Sequence, residues 1–451
     1  MNNHSAQEHL HKMQRAILLA FFAVALSLLF WSVARSDAIL ARDDNPRLVE
    51  AELRIERGRI LDRNGLILAH TIGESNALTR TYPFPTIGPA VGYYSFRHGT
   101  AGVEAGFDEI LRGEDASFTA VFNRQLLHTP QVGRDVQLTL DAELQATAEA
   151  LFGEAQGALV LLEIETGNVL AMVSHPGYNP NQLDENFDDL VEDETAPLLN
   201  RAVQGQYQPG LVLQPFILDA ALDADRIQLD GTALNANRPV SVNNAIKRCQ
   251  SAPPDNATWA DVLRYRCPGP MQDLADRLGG SGLDDIFMRF GFLTPPELPL
   301  NTETPELEPL ADPLQAGIGQ DNLTVSPMQV ALALAALGND GRLPTPQLVT
   351  AVQDENGVMQ PELATLGSEN VVTSRTARNI RELFNMDGTA SFAVSALSGP
   401  DSRNSWYLLL TPADEPRYAI VVVVEDSEDL ELVRDIGKGL ETAVIRQDQP
   451  N

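Results

Sequence analysis

Residues 157–181 read GALVLLEIETGNVLAMVSHPGYNPN. Two apolar runs, 157–164 and 168–174, flank the polar link Glu165-Thr166-Gly167. Short apolar runs bounded by turn residues read as strands, and a brief link with glycine reads as a hairpin. The far end of the chain repeats the pattern. Residues 405–411 (SWYLLLT) and 418–425 (YAIVVVVE) are apolar runs, joined across 412–417. Upstream, VQLTL leads into 141–152 (DAELQATAEALF), a predicted helix with Asp141 as its N-cap. Residues 426–445 are amphipathic and read as a terminal helix. Strands at both ends with helical stretches between them predict an α+β fold. Its sheet is antiparallel, assembled from distant segments and flanked by helices.

Composition narrows the function. The chain has 451 residues, enough for about three units of ~150. Lys plus Arg is 32 and Asp plus Glu is 62, a net charge of −30. That argues against a nucleic-acid partner, because phosphate contacts need cations. A hydrophobic content of 43% argues against a disordered acidic chain. Two cysteines exclude a disulfide-rich scaffold and a cysteine zinc cluster, and the seven histidines form no HExxH pair. No cofactor or metal is expected. Residues 184–194 (DENFDDLVEDE) read as a solvated acidic loop, since they lack the spacing and glycine of a calcium loop. Residues 294–313, proline-rich and acidic, read as an extended surface excursion. No internal repeat is evident.

Residues 16–34 (AILLAFFAVALSLLFWSVA) carry no charge and come close to the ~20 residues that span a bilayer core. They are read as an uncleaved anchor, with a cleaved signal peptide as the alternative. Lys12 and Arg15 precede the run and Arg35 and Arg42 follow it, so charge does not orient it. The expected organisation is a cytoplasmic head (1–15), the anchor (16–34), a stalk and pedestal (35–134) and a large domain (135–447).

Arg57-Gly58-Arg59-Ile60-Leu61-Asp62-Arg63-Asn64-Gly65 with Leu68-Ala69 resembles the RGxIxDRNGxxLA that opens the pedestal of class B penicillin-binding proteins. Gly99-Thr100-Ala101-Gly102-Val103-Glu104 and Leu111-Arg112-Gly113 continue it, and its shortness is similar to the actinobacterial penicillin-binding protein A branch. Leu138-Thr139-Leu140-Asp141, the 157–181 stretch, Gly317-Ile318-Gly319-Gln320, Val325-Ser326-Pro327-Met328-Gln329, Asn339-Asp340-Gly341 and Gly388-Thr389-Ala390 resemble successive motifs of the transpeptidase domain. The resemblance implies a penicillin-binding, β-lactamase-like transpeptidase fold on a small pedestal. It also implies a body outside the cytoplasmic membrane, extracellular or periplasmic. The pedestal signature residues are Arg57, Gly58, Asp62, Arg63, Gly65, Gly102 and Glu104.

The same resemblance locates the catalytic motifs and shows them altered. The family uses a serine and a lysine three residues apart, which one helix face brings together. Within the frame Asn200-Arg201-Ala202 and Tyr207-Gln208-Pro209-Gly210, those positions hold Leu211 and Gln214. The SxN place holds Arg266-Cys267-Pro268, and the KTG place holds Leu397-Ser398-Gly399. Nucleophile, base and carboxylate clamp are absent together. Ser391, Ser395, Ser398 and Ser402 have no Lys or His three or four positions away. Cys249 and Cys267 admit a disulfide, free thiols or, for Cys267, a nucleophile whose pKa Arg264 and Arg266 lower.

The leading expectation is a pseudoenzyme of peptidoglycan assembly, a scaffold or allosteric partner of a SEDS-type glycosyltransferase that does not bind β-lactams. A divergent D,D-transpeptidase or carboxypeptidase with a relocated nucleophile is the alternative. A ligand-binding module using the degenerate cleft is a third. Leu211 and Leu397 are expected to face the cleft and close it by apolar burial.

Overall fold

The structure is a computed structural model that describes residues 3–29, 54–74, 77–114, 131–242, 245–303, 310–362, 368–386, 389–399 and 402–448. The chain divides into two compact units, one of residues 1–55 and 73–79, the other of residues 56–72 and 80–451. The first holds helix α1 (Asn3–Leu29). Among the described residues no helix is long and apolar enough to cross a membrane, and residues 30–34 of the expected anchor lie outside them.

The second unit begins with β1 (Ile60–Leu61) and most of β2 (Ile67–Glu74), followed by β3 (Val136–Leu138) and α2 (Ala142–Phe152). The predicted hairpin follows as β4 (Gly157–Glu163) and β5 (Val169–His175), and then α3 (Leu183–Glu192). The middle holds α4 (Gln214–Asp223), α5 (Trp259–Arg264), α6 (Pro268–Arg289) and α7 (Pro327–Gly338). The chain ends with β6 (Val349–Gln353), β7 (Thr389–Leu397), β8 (Arg403–Thr411), β9 (Tyr418–Val424) and α8 (Leu430–Asp448).

The main sheet runs β7-β8-β9-β4-β5, with Asn385–Met386 beside the start of β7. Every pair is antiparallel, and β9 meets β4 with Tyr418 opposite Glu163 and Val424 opposite Gly157. β9, β4 and β5 are mostly apolar because both sheet faces are covered. Ala158, Val160, Leu162, Trp406, Leu408 and Val421 face a core with α4 and α7. The alternate residues Leu159, Leu161, Tyr407, Leu409 and Val422 face a second core with α2 and α8. Strand side chains alternate between faces, so two cores require apolar residues in both registers. On α8 the buried residues Val433, Ile436, Leu440 and Val444 fall at helical spacing. That helix starts later and ends later than residues 426–445.

The predicted cap holds, since Asp141 accepts from the backbone N–H of Glu143 and Leu144. The acidic stretch is a correction. Instead of a loop, residues 183–192 form α3, because their few apolar residues fall four apart on one face. Leu183 is buried and Phe187 stacks on His98 at 3.8 Å, while the acids line the other face. The described part of the proline-rich excursion has no helix or strand before Pro313.

The pedestal signature is a packing and charge device. Glu104 is fully buried between two arginines, with Arg57 Nη2 donating at 2.8 Å and Arg80 Nε at 2.6 Å. Burial pushes the Glu104 carboxyl up, and Arg80 and Arg57 outweigh that and hold it below its ordinary value. Asp62 Oδ1 accepts from the backbone N–H of Asn64 and Leu66, closing the turn in which Gly65 takes φ +84°. Asn64 Nδ2 reaches Asp141 and so ties this turn to the start of α2. Arg63 is exposed and contributes its backbone N–H to Leu140 O. A side chain at Gly58 would collide with Arg134 O at 1.9 Å. A Cβ on Gly102, at φ +63°, would come within 2.7 Å of Gly92 Cα.

Glu104→Ala leaves two buried guanidinium groups without their shared carboxylate. A loss of about 3–5 kcal/mol is expected in denaturant unfolding of the purified chain. A loss below about 1 kcal/mol would show that the arginines find other partners.

Candidate functional site

Leu211 lies in a short 3-10 turn, Gly210–Leu213, that leads into α4. This turn is held by close backbone approach. Gly210 has φ +54°, and a Cβ on it would come within 2.7 Å of Ala396 Cβ on β7. On the other side Gly210 N donates to Gly319 O at 2.9 Å, and a Cβ on Gly319 would meet Gly210 O at 2.1 Å. Only glycine fits either place. The frame upstream is tied as firmly. Glu425 accepts from Arg201 Nε at 2.9 Å and from Tyr207 Oη at 2.6 Å, and Tyr207 packs edge-on against Trp406.

A cleft of about 120 Å³ opens beside this turn. Leu211, Arg266, Pro268, Gln320, Ser395 and Ala396 line it, together with Lys247 and Arg248. Residues of the Ser-x-x-Lys, Ser-x-Asn and strand β7 stretches therefore meet at one place. Leu211 is half-buried on the wall, without a nucleophilic atom. Gln214 is fully buried and does not line the cleft. Its Nε2 donates to Val262 O at 3.0 Å and to Cys267 O at 3.5 Å, which ties α4 to the α5–α6 junction. Gln214, expected from the resemblance at the place of a lysine base, is thus a structural amide.

Arg266 takes φ +49°, a left-handed conformation that most side chains avoid. Its guanidinium lies 4.7 Å from the Phe392 ring centroid. Burial, with Arg434 adding to it, lowers its pKa to about 10. Cys267 is joined to Cys249 as a disulfide, with their Cα atoms 4.1 Å apart. Neither sulfur is therefore a free nucleophile in this state.

Two expectations are corrected. Leu397 is buried at 3% exposure in the larger core and does not face the cleft. Alternation alone would put it on the face of Ser395, but Leu397 is the last residue of β7 and packs into the larger core, while Ser395 and Ala396 take the wall. The cleft also stays partly open beside Leu211, with Lys247 and Arg248 among the residues that line it. Ser398 Oγ and Ser402 Oγ are 2.7 Å apart, and Ser402 donates to Asp426, so these hydroxyls close an exposed turn with Gly399. Gly388 of the Gly-Thr-Ala stretch lies outside the described residues.

Lys247 and Arg248 went unnoticed in the sequence because they sit in no helical or strand pattern. One signal was available, in that each cysteine follows an arginine, Arg248-Cys249 and Arg266-Cys267. Lys247 also changes the reading of Ser395. No lysine lies near Ser395 in sequence, yet both line the same cleft. Burial and then Arg403 push the Lys247 ammonium pKa down, with Glu428 opposing. Among the described residues no cluster of His, Cys, Asp and Glu could hold a metal ion.

The comparison with known proteins agrees with this geometry. The model of the penicillin-binding protein transpeptidase domain matches residues 157–440. The chain belongs to that family. A second model, the penicillin-binding protein A dimerisation domain, matches residues 57–136. The peptidoglycan D,D-transpeptidase PbpA of Mycolicibacterium smegmatis is 27% identical, over 97% of this chain and 99% of the relative. MrdA of Escherichia coli K12, also a peptidoglycan D,D-transpeptidase, is 28% identical over 57% of this chain and 45% of its own length. The imipenem acyl-enzyme of penicillin-binding protein A from M. tuberculosis superposes with a TM-score of 0.80 at 25% identity. It covers 88% of this chain and 100% of that structure.

The helix that carries Gln214 makes two predictions. Gln214→Leu removes the donor to Val262 O and Cys267 O, and a loss of about 1–3 kcal/mol is expected in equilibrium unfolding. An unchanged stability would mean those carbonyls are satisfied elsewhere. Asp219, one turn on and fully buried, has its carboxyl pushed up to about 8, mainly by burial. Between 3.8 and that value the folded chain keeps a proton the unfolded chain has lost. Stability therefore falls as pH rises through that window, by at most about 1.4 kcal/mol per unit. Asp219→Asn should flatten the decline between pH 5 and pH 8 in a thermal unfolding series, and parallel curves for variant and parent would refute the assignment.

Proposed function

We propose that this chain is a membrane-anchored penicillin-binding-protein relative that has lost acyl transfer. In this reading it serves peptidoglycan assembly as a scaffold or allosteric partner of a SEDS-type glycosyltransferase. The observation that carries it is the pair Leu211 and Gln214. The first has no nucleophilic atom, and the second spends its amide on two backbone carbonyls. In serine enzymes of comparable design, losing the nucleophile alone costs ~10⁶ in rate. The altered Ser-x-Asn and Lys-Thr-Gly places support the reading, because Arg266-Cys267-Pro268 and Leu397-Ser398-Gly399 supply neither shuttle nor clamp.

The proposed organisation has a cytoplasmic head (1–15), an anchor (16–34), a stalk and pedestal (35–134) and a transpeptidase-like domain (135–447) outside the membrane. The anchor rests on the uncharged run at 16–34. The pedestal rests on the match at 57–136 and on the buried Arg57–Glu104–Arg80 cluster. A protein that keeps its pedestal and packing frame while losing its nucleophile keeps what coupling needs and discards what cross-linking needs.

A second reading has one observation of its own. Ser395 lines the same cleft as Lys247, the composition of a serine–lysine pair, which suits a divergent transpeptidase or carboxypeptidase with a relocated nucleophile. Fluorescent penicillin labelling of the full-length chain in detergent separates the two, run beside an authentic class B enzyme. The expected outcome is no covalent band, followed by capture of a polytopic glycosyltransferase through the anchor and pedestal. A stoichiometric band that survives denaturation, with the label on Ser395 by peptide mass spectrometry, would replace the first reading with the second.

A further inference from the structure

Part of the wall of the cleft beside Leu211 is held in place chiefly by one covalent bond. Lys247, Arg248 and Gln250 line that cleft and belong to one segment, residues 245–250. The segment starts as a strand of a two-stranded ribbon, Ala245–Lys247 against Val240–Val242. Among the described residues this ribbon pairs with no other strand. One strand is fixed, because Val240 and Val242 are buried in the larger core. Its partner is not, since Ile246 is 65% exposed and a two-stranded ribbon alone is marginal in water. Outside the ribbon, residues 245–250 make one backbone hydrogen bond to the body among the described residues, Gln250 N to Tyr265 O at 2.9 Å. Their remaining hold is the partial packing of Ala245 and Cys249 and the Cys249–Cys267 disulfide.

The far side of the bond does not need it. Gln214 Nε2 reaches from α4 to Val262 O and Cys267 O, so the α5–α6 junction is braced independently. The two cysteines also differ in access, since Cys267 is fully buried while Cys249 is partly exposed. They differ again as leaving groups. Cys267 is the N-cap of α6, where the helix dipole favours a thiolate. Thiol–disulfide exchange depends on access to the attacked sulfur and on the acidity of the departing one. Both direct an incoming thiolate to Cys249, with Cys267 departing.

We propose that the Cys249–Cys267 disulfide is a redox latch on the cleft wall, opened by a dithiol and closed again by a disulfide oxidant. A thiolate of the dithiol attacks Cys249 Sγ, the bond to Cys267 breaks, and Cys267 leaves as a thiolate that takes up a proton. The second thiol of the dithiol then attacks the mixed disulfide. It forms the dithiol's own disulfide and releases Cys249, which also ends protonated. Two electrons and two protons pass to the chain, and a disulfide oxidant reverses both steps. With the latch open, residues 245–250 leave the cleft wall while the main sheet stays folded. The latch goes beyond the scaffold reading and is separable from it, because it operates whether or not the chain transfers acyl groups.

Reduction of the full-length chain in detergent tests this, with dithiothreitol as the dithiol and amide hydrogen exchange read by mass spectrometry. Both cysteines should become reduced without denaturant. Exchange across residues 245–250 should then rise about tenfold or more, while the amides of β4, β8 and β9 keep their rates. Oxidised glutathione should restore the slow exchange. Cys249→Ser should show the fast exchange at 245–250 without any reductant, again with normal rates in the main sheet. A brief pulse of reduced glutathione, quenched with N-ethylmaleimide, should leave glutathione on Cys249 and the maleimide on Cys267. The reverse labelling would overturn the order of attack. Reduction only in denaturant, unchanged exchange at 245–250 in the reduced chain, or a matching loss of protection in the main sheet would each overturn the latch.

Discussion

The antiparallel pairing of β9 with β4 is the constraint on which the rest of the structure depends. It joins Tyr418 to Glu163 and Val424 to Gly157, so the sheet closes only when the two ends of the large domain meet. Both faces of that sheet are buried, and each face draws on a separate core. Everything between β5 and β7 must therefore leave the sheet and return. That excursion carries the Gly210 turn, the Lys247 segment and the Arg266 junction to the outer side of β7. The cleft exists because this edge of the sheet is where the excursion packs back.

The residues that carry the family resemblance are, in this chain, mostly residues that pack. Gly210 and Gly319 leave room for one another and for Ala396. Ser326 and Gln329 form the capping box of α7, and Gln329 Nε2 also satisfies the carbonyls of Gly291, Phe292 and Thr294. Glu425 gathers Arg201 and Tyr207. A chain can thus hold this frame whatever residues stand at positions 211 and 214, here a leucine and a glutamine. The frame contributes to folding, and those two positions need only fit the space.

Gln214 shows how such a position is absorbed. A lysine there would present an ammonium to a reacting serine. The glutamine is shorter in reach, neutral and able to donate, and it turns to the carbonyls of Val262 and Cys267. Those carbonyls belong to the junction where Arg266 adopts its left-handed conformation and Cys267 its disulfide. Gln214 and the Arg266-Cys267 junction are therefore in direct contact, and the glutamine is part of the brace beside Arg266.

The sequence by itself determined the strand runs, the Asp141 cap, the α+β class and the chemical blankness of Leu211 and Gln214. Each of these is local, because it follows from side-chain type and from a period along a single segment. Where local signals conflict, the reading fails. Seven acids in residues 184–194 outweighed the spacing of Leu183 and Phe187, which α3 uses to pack. The tertiary structure alone decided that Leu397 is buried in the core while Ser395, on the same strand face, lines the cleft, since what packs over each end of a strand is set by distant segments. It alone brought Lys247, Arg248 and Arg266 to one cleft. Closeness between residues far apart in the chain is set by strand pairing and by the Cys249–Cys267 bond, and no periodicity within either segment encodes it.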